Sequence, residues 1–447
     1  MGHLSELKKK IITADEAVKL VKSGDLVHYG EFSMNSRTLD AALARRKEEL
    51  HAVNVRSVCC PFYPDVVKCD PERKHFVFDD WHLSRMERKI HTENLCNYIP
   101  LNYHESNSYF ERRYVQPDVA FIMVAPPDRH GYVNFGPVNS TTRSICDRAR
   151  TVIAEINNRV PYCFGGYDEA VHLSEIDWFV EGKNEPLPEL NAFESTKITK
   201  QIANYVLNLI PNGACIQLGI GTIPSAVGYA VAASDLKDLG IHSEMLGDAI
   251  MEMYLAGKVS GSHKQIIRGK MVYTFAMGSQ KLYKFLDKNP VCASYPASYT
   301  NSPDIIGQLD NFIAINTALE VDLYGQVSAE SMGTRQISGT GGLLDFIEGA
   351  YKSNNGKGLI CLPSIYTDGN GEIHSRIKPF LTPGTIVTVP RCVNSYVITE
   401  YGIAHLKGKS TWQRAEALIN IAHPDFREEL IRQADENHIW VQSNKRS

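Results

Sequence analysis

The chain has 447 residues, 43% of them hydrophobic and 22% charged, with 32 Gly and 21 Pro, which is enough for two cores and unlike a disordered polymer. Its net charge of -4 argues against a broad nucleic-acid footprint. No run approaches the roughly 18 apolar residues of a membrane span, and MGHLSELKKK lacks the apolar stretch of a secretory signal, so a cytoplasmic protein without membrane or nucleic-acid partners is expected.

Residues 13–30, TADEAVKLVKSGDLVHYG, predict a helix opened by Thr13 and Glu16 in capping-box spacing, stopped at Gly24 and followed by a short apolar strand. His82, His91 and His104 lack metal-ligand spacing, so no metal is expected. The tyrosine-rich stretch 97–114 reads most simply as aromatic packing. Next, PDVAFIMVAPPDRHGYVN (117–134) is an apolar strand followed by Asp-x-x-Gly-x-Val, and a turn accounts for Arg129 and His130. The ten cysteines form no C-x-x-C pair, and Cys59 and Cys60 are adjacent; reduced, buried thiols are expected.

After GKNEPLPELNAFEST (182–196), a polar stretch with two prolines, the chain repeats itself. TKQIANYVLNLIPNGACIQLG (199–219) predicts another helix, with Ile198, Ile202, Tyr205 and Leu209 on one face, then Asn-Gly and an apolar strand. Gly24 and Gly213 lie 189 positions apart, as do Gly30 and Gly219. LDNFIAINTALEVDLYGQVS (309–328) repeats the strand and the Asp-x-x-Gly-x-Val turn, with Asp322 194 positions after Asp128. Two matches in one order at nearly one offset predict two related open α/β domains, 1–185 and 195–447, joined by a linker at 186–194. Their sheets are expected to be largely parallel, with the active site in the cleft between them.

The copies then diverge. QLGIGTIPSAV (217–227) places Gly219 and Gly221 around a turn, with Pro224 expected at the first position of a helix. Such a turn presents free backbone N–H groups to an anion, and the first copy has YGEFSMNSRTL there instead. The glycine spacing does not complete a dinucleotide fingerprint, and P-loop, G-x-S-x-G and H-E-x-x-H motifs are missing. Ile241 to Met245 predicts a short strand and Ala249 to Ala256 a helix, which leaves Glu244 near a strand end. Spacing alone makes Glu244 a surface or capping carboxylate.

Five ordered motifs change that reading: Q-x-G-I-G-x-x-P at 217–224, G-I-H-S-E-M at 240–245, A-I-N-T-A-L-E-V-D at 314–322, G-T-G-G-x-x-D-F at 339–346 and I-T-E-Y-G-I-A-H-L-K-G at 398–408. Together they resemble the acetyl-CoA hydrolase/transferase family, a branch of the class I CoA-transferases, with the first half fitting more loosely. The resemblance implies transfer of coenzyme A between short-chain carboxylates, with Glu244 as nucleophile and a glutamyl-CoA thioester as covalent intermediate. It implies CoA contacts at Gly219, Ile220, Gly221, Thr222, Ile223 and Leu319, and a backbone N–H at Gly342 beside the reacting carbonyl. It further brings Gln217, Asn301 and Glu400 into the active-site set; a turn Asn and an ion-paired Glu are the plainer readings of the last two. A lysine that some relatives place on CoA has no counterpart near Asp368 and Gly369. No permanently bound cofactor is implied, and a homodimer or dimer of dimers is. Tyr29, Glu31, Ser33 and Met34 are expected to set acyl length. Water taking the thioester would give a hydrolase instead, and a non-catalytic sensor holding a CoA-like ligand is the reading from a different class.

Overall fold

A computed structural model describes residues 2–190 and 194–439, so positions 191–193 of the expected linker lie outside the described residues. The chain forms two compact units, Met1–Asn191 with Val272–Thr300, and Ala192–Met271 with Asn301–Ser447.

In the first unit the capping box forms as expected. Thr13 N donates to Glu16 Oε2 (2.9 Å) and Glu16 N to Thr13 Oγ1 (3.2 Å), starting α1, Ala14–Ala17. Gly24, at φ +83°, then turns the chain into β1, Leu26–Glu31. Helix α2 is Arg37–Ala44. The other strands of its main sheet are β2 Val53–Val58, β3 Phe76–Asp80, β4 Asn97–Tyr98, β5 Val119–Val124, β6 Thr151–Ile156 and β7 Trp178–Glu181. They line up β4-β3-β2-β1-β5-β6-β7, every neighbour parallel. All six residues of β5 are buried, because a parallel sheet is covered on both faces and its strands read as continuous apolar runs.

The second unit repeats the plan. It contains α3 Lys197–Leu207, β8 Cys215–Leu218, α4 Thr222–Ala233, β9 Gly240–Ile241, α5 Asp248–Leu255, β10 Phe312–Thr317, α6 Leu343–Lys352, β11 Lys357–Cys361, β12 Tyr396–Thr399 and β13 Gly402–His405. The order is β9-β8-β10-β11-β12-β13, parallel except for the β12–β13 pair. Strand order reverses between β8 and β10, and the carboxyl ends at such a reversal form the ligand crevice of this fold class.

The duplicated turn is reproduced in atomic detail. Asp128 Oδ1 accepts from His130 N (2.8 Å) and Tyr132 N (3.0 Å), and Asp322 Oδ1 from Tyr324 N (3.1 Å) and Gln326 N (2.8 Å). Gly131 and Gly325 follow at φ +85° and +87°.

Four expectations are corrected. The chain between 195 and 447 does not stay in one unit, because 272–300 packs with the first: Phe275 stacks on Phe32 at 3.7 Å and Gly166 N donates to Ser294 O (3.0 Å). The buried face of α3 is Thr199, Ile202, Ala203 and Val206, not Ile198, Ile202, Tyr205 and Leu209. Thr199 turns inward while bonded to the N-cap Thr196, which leaves Ile198 37% exposed. Pro224 is the third residue of α4, still within the first turn where no backbone donor is lost. The strand expected over 241–245 ends at Ile241, because Ser243 Oγ takes the ladder donor Leu218 N (3.3 Å).

All ten cysteines are free; seven are buried, Cys69 and Cys146 are half-buried, and Cys392 is exposed.

Candidate active site

Glu244 follows β9 at the carboxyl end of the second unit's sheet. Ser243 fixes the bend before it, accepting from Leu218 N and donating to Met245 O (2.9 Å). The Glu244 side chain is half-buried, and its carboxyl is enclosed by groups from two distant segments. Asn301 Nδ2 donates to Glu244 Oε2 (2.7 Å) and lies 3.5 Å from Asp345 Oδ2. The backbone N–H of Gly342, at the start of α6, lies close enough to the carboxyl to lower its pKa. Asn301 and Asp345 are buried, and Asn301 Oδ1 has no partner.

Position 342 admits only glycine. A Cβ there would fall 2.0 Å from Glu244 Oε2 and 2.2 Å from Asn301 Nδ2. Its φ of -96° suits any residue, so space and not backbone conformation is the constraint.

Burial pushes the Glu244 carboxyl up to about 7; the Asn301 amide opposes this, the nearby Asp345 adds to it, and the Gly342 N–H opposes it again. A carboxylate ionised near neutral pH, poorly hydrated and with two donors beside it, is suited to attack a carbonyl. The same donors can receive the negative charge that develops on oxygen.

At the strand-order reversal, Gly219 N donates to Ile315 O (2.8 Å), and a Cβ on Gly219 would lie 2.8 Å from Asn316 Oδ1. Gly221, at φ +127°, leads into α4, whose N-terminus no side chain caps. Ile220, Gly221 and Thr222 are exposed, whereas Ile223 is buried. The turn is therefore an open helix start of the kind that binds phosphate or carboxylate. Leu319, half-buried just after β10, has its carbonyl held by Arg376 Nη1 (2.7 Å).

Glu244, Asn301 and Gly342 are brought together, and the side chains of Gln217 and Glu400 bond to other residues. Gln217 is buried in a reciprocal amide pair with Asn316 (3.1 and 3.0 Å), which ties β8 to β10. Both oxygens of Glu400 go to Ser364, its N (2.9 Å) and its hydroxyl (2.6 Å). Tyr29 is a core residue bonded to Asp40 (2.9 Å), and Glu31 accepts from Thr141 Oγ1 (2.5 Å), both within the first unit. Asp345 was missed, although it stands in the G-T-G-G-x-x-D-F motif three residues after Gly342. That spacing puts it in the first turn of α6, which is the signal that would have found it.

The fold is that of the CoA-transferases. RipA from Yersinia pestis matches with a TM-score of 0.89 at 33% identity, covering 98% of this chain and 100% of that one. A 4-hydroxybutyrate CoA-transferase from Porphyromonas gingivalis matches with a TM-score of 0.79 at 32% identity, covering 97% and 99%. The chain belongs to the acetyl-CoA hydrolase/transferase family, whose N-terminal domain profile matches residues 1–190 and whose C-terminal domain profile matches 278–434. It is 49% identical to a probable butyrate:acetyl-CoA coenzyme A-transferase of Syntrophomonas wolfei, over 99% of this chain and 98% of the relative. It is 48% identical to a butyryl-CoA:acetate CoA-transferase of Anaerostipes caccae over the whole of both chains.

Proposed function

We propose that this chain is a butyryl-CoA:acetate CoA-transferase that works by a ping-pong reaction through a thioester on Glu244. The Glu244 carboxylate attacks the acyl carbonyl carbon of butyryl-CoA, the C–S bond breaks, and a mixed anhydride and CoA thiolate result. The thiolate then attacks the glutamyl carbonyl carbon, forming the enzyme–CoA thioester and releasing butyrate. Acetate attacks that thioester carbonyl to give an acetyl-glutamyl anhydride, and the thiolate attacks its acetyl carbon, forming acetyl-CoA and restoring Glu244. Each step exchanges one acyl bond for another, so the residues need only position the reactants and stabilise charge.

One observation carries the reading: a half-buried carboxylate held by Asn301, with the Gly342 N–H beside it, where no side chain fits at 342. In this scheme the 219–223 turn and Leu319 hold CoA, the Gly342 N–H faces the reacting carbonyl oxygen, and Asn301 orients the nucleophile. Gln217 and Glu400 complete the active-site set, with Glu400 held by Ser364. The acyl and acceptor identities follow the full-length relatives, and 4-hydroxybutyrate is the less favoured acyl group. The enzyme would act in the cytoplasm in short-chain fatty acid fermentation, as a homodimer or dimer of dimers, with no permanently bound cofactor.

The test is mass analysis of the Glu244 peptide after incubation with butyryl-CoA and no acceptor. A CoA adduct that disappears on adding acetate, with acetyl-CoA formed, is expected. Its decay to free CoA at the same rate without acetate would indicate a hydrolase. No adduct, or full activity in Glu244→Ala, would overturn the mechanism.

A further inference from the structure

Glu244 is carried by a weakly held element. Strand β9 pairs with β8 through two residues, Cys215↔Gly240 and Ile216↔Ile241, and it is the edge of its sheet. Productive attack needs a carboxylate placed to within a few tenths of an ångström, and two rungs of an edge ladder do not supply that. Ser243 ties the bend before Glu244 to β8, and a second tie reaches the strand from the 264–270 loop.

The buried lysine of the second unit meets that need. Lys264 is 2% exposed, and its stem crosses β9 directly above Gly240, where a Cβ would lie 2.7 Å from Lys264 Cγ. Its Nζ donates to Ile241 O (3.0 Å), three residues before Glu244, and to Lys270 O (2.8 Å). Arg268 Nε donates back to Lys264 O (3.3 Å), closing the 264–270 loop on itself. The hydrogen bonds of this ammonium go to backbone carbonyls, and the Cys215 thiol of β8, which stays neutral, lies beside it. Burying a cation beside carbonyls alone is unfavourable compared with an apolar side chain of the same size, so a structural filler would not be a lysine. Burial lowers its pKa to about 8, so it is charged through neutral pH and joins Ile241 and Lys270 by charge-assisted bonds.

We propose that Lys264 is a positioning residue for the transfer reaction, clamping the carboxyl end of β9 to the 264–270 loop so that Glu244 meets the acyl carbonyl in register. The inference rests on the reading of Glu244 as the nucleophile. Gly240 is part of the same device, since only a residue without a side chain lets the lysine stem pass.

The experiment measures the single-turnover rate of the Glu244–CoA adduct with butyryl-CoA, per folded molecule, in the unaltered enzyme, Lys264→Met and Lys264→Arg. Lys264→Met is expected to slow adduct formation about 100-fold, the effect of an ångström-scale displacement. KM for butyryl-CoA should stay within about twofold, because the CoA turn is untouched. Lys264→Arg, which keeps a cation and its donors, is expected to recover most of the rate. A merely structural lysine would lower the folded fraction and leave the rate per folded molecule unchanged in both variants, which overturns the proposal. If Lys264→Met does not fold, the pH profile decides. The unaltered enzyme should lose adduct rate above about pH 8 as the ammonium deprotonates, and Lys264→Arg should not. Cys215, pushed up to about 11, stays neutral through that range, and Arg268 and Lys270 carry the loop's other side-chain charges. Identical profiles overturn the clamp. Absence of any adduct in the unaltered enzyme would instead overturn the role of Glu244 itself.

Discussion

The two strand-to-helix turns that the duplication aligns start alike and end differently. Phe32 and Gly221, 189 positions apart, both take positive φ, +51° and +127°. In the first unit Ser36 caps α2, and the Ser36 and Thr38 hydroxyls donate to the carboxylate of Glu155 on β6, the latter at 3.0 Å. In the second unit α4 starts on a bare glycine with no side-chain cap. A helix start attracts negative charge in both places. One copy satisfies that attraction with its own carboxylate and becomes scaffold, while the other leaves it for a ligand. In the proposed function the duplicated fold thus keeps one anion site and not two.

The comparison breaks most sharply at the two carboxylates. Glu244→Ala should lower kcat by about 10^4-fold, as loss of a covalent nucleophile does, while Glu155→Gln should leave adduct formation within about twofold per folded molecule. Equal losses would mean that the first unit is not scaffold. Next in size, Gly342→Ala should cut kcat about 100-fold by driving a Cβ into Glu244 and Asn301, with a smaller change in KM.

The pH profile sharpens the account of the second unit. In the proposed mechanism Glu244 attacks in its ionised form, and its pKa is raised to about 7, so adduct formation should rise with pH through about 7. Asp345→Asn removes a like charge and should move that rise to lower pH, and Asn301→Ala removes a donor to the carboxylate and should move it higher. The opposite directions would contradict the electrostatics of the site. The smallest effect belongs to the first unit. Ser36→Ala should cost about 1 kcal/mol in urea unfolding, as loss of an N-cap does, with catalysis unchanged.

What was legible in the sequence had a local cause. The Thr13–Glu16 box, the glycine turns and the two Asp-x-x-Gly turns each involve residues within four positions, so their chemistry shows in a short window. The catalytic set did not show that way. Glu244 and Asn301 are 57 positions apart, and spacing alone made Glu244 a surface group until a family pattern gave it a partner. Glu400 and Gln217 lie in equally recognisable motifs, yet they turn to Ser364 and Asn316, because a motif marks a neighbourhood and not the direction of a side chain. The crossing of 272–300 into the first unit was hidden for a different reason. Its place is set by contacts far away in the chain, such as the stacking of Phe275 on Phe32 and the bond from Gly166 N to Ser294 O.

The buried cysteines have a consequence for an enzyme that frees a thiol at every turnover. Desolvation pushes Cys215 and Cys361 up to about 11 and 12, so their thiolate fraction at neutral pH is negligible. Exchange with a CoA disulfide needs a thiolate and an open approach to sulfur. The fold withholds both from its interior sulfurs, and Cys392, the one exposed cysteine of the ten, is where a disulfide of coenzyme A has access.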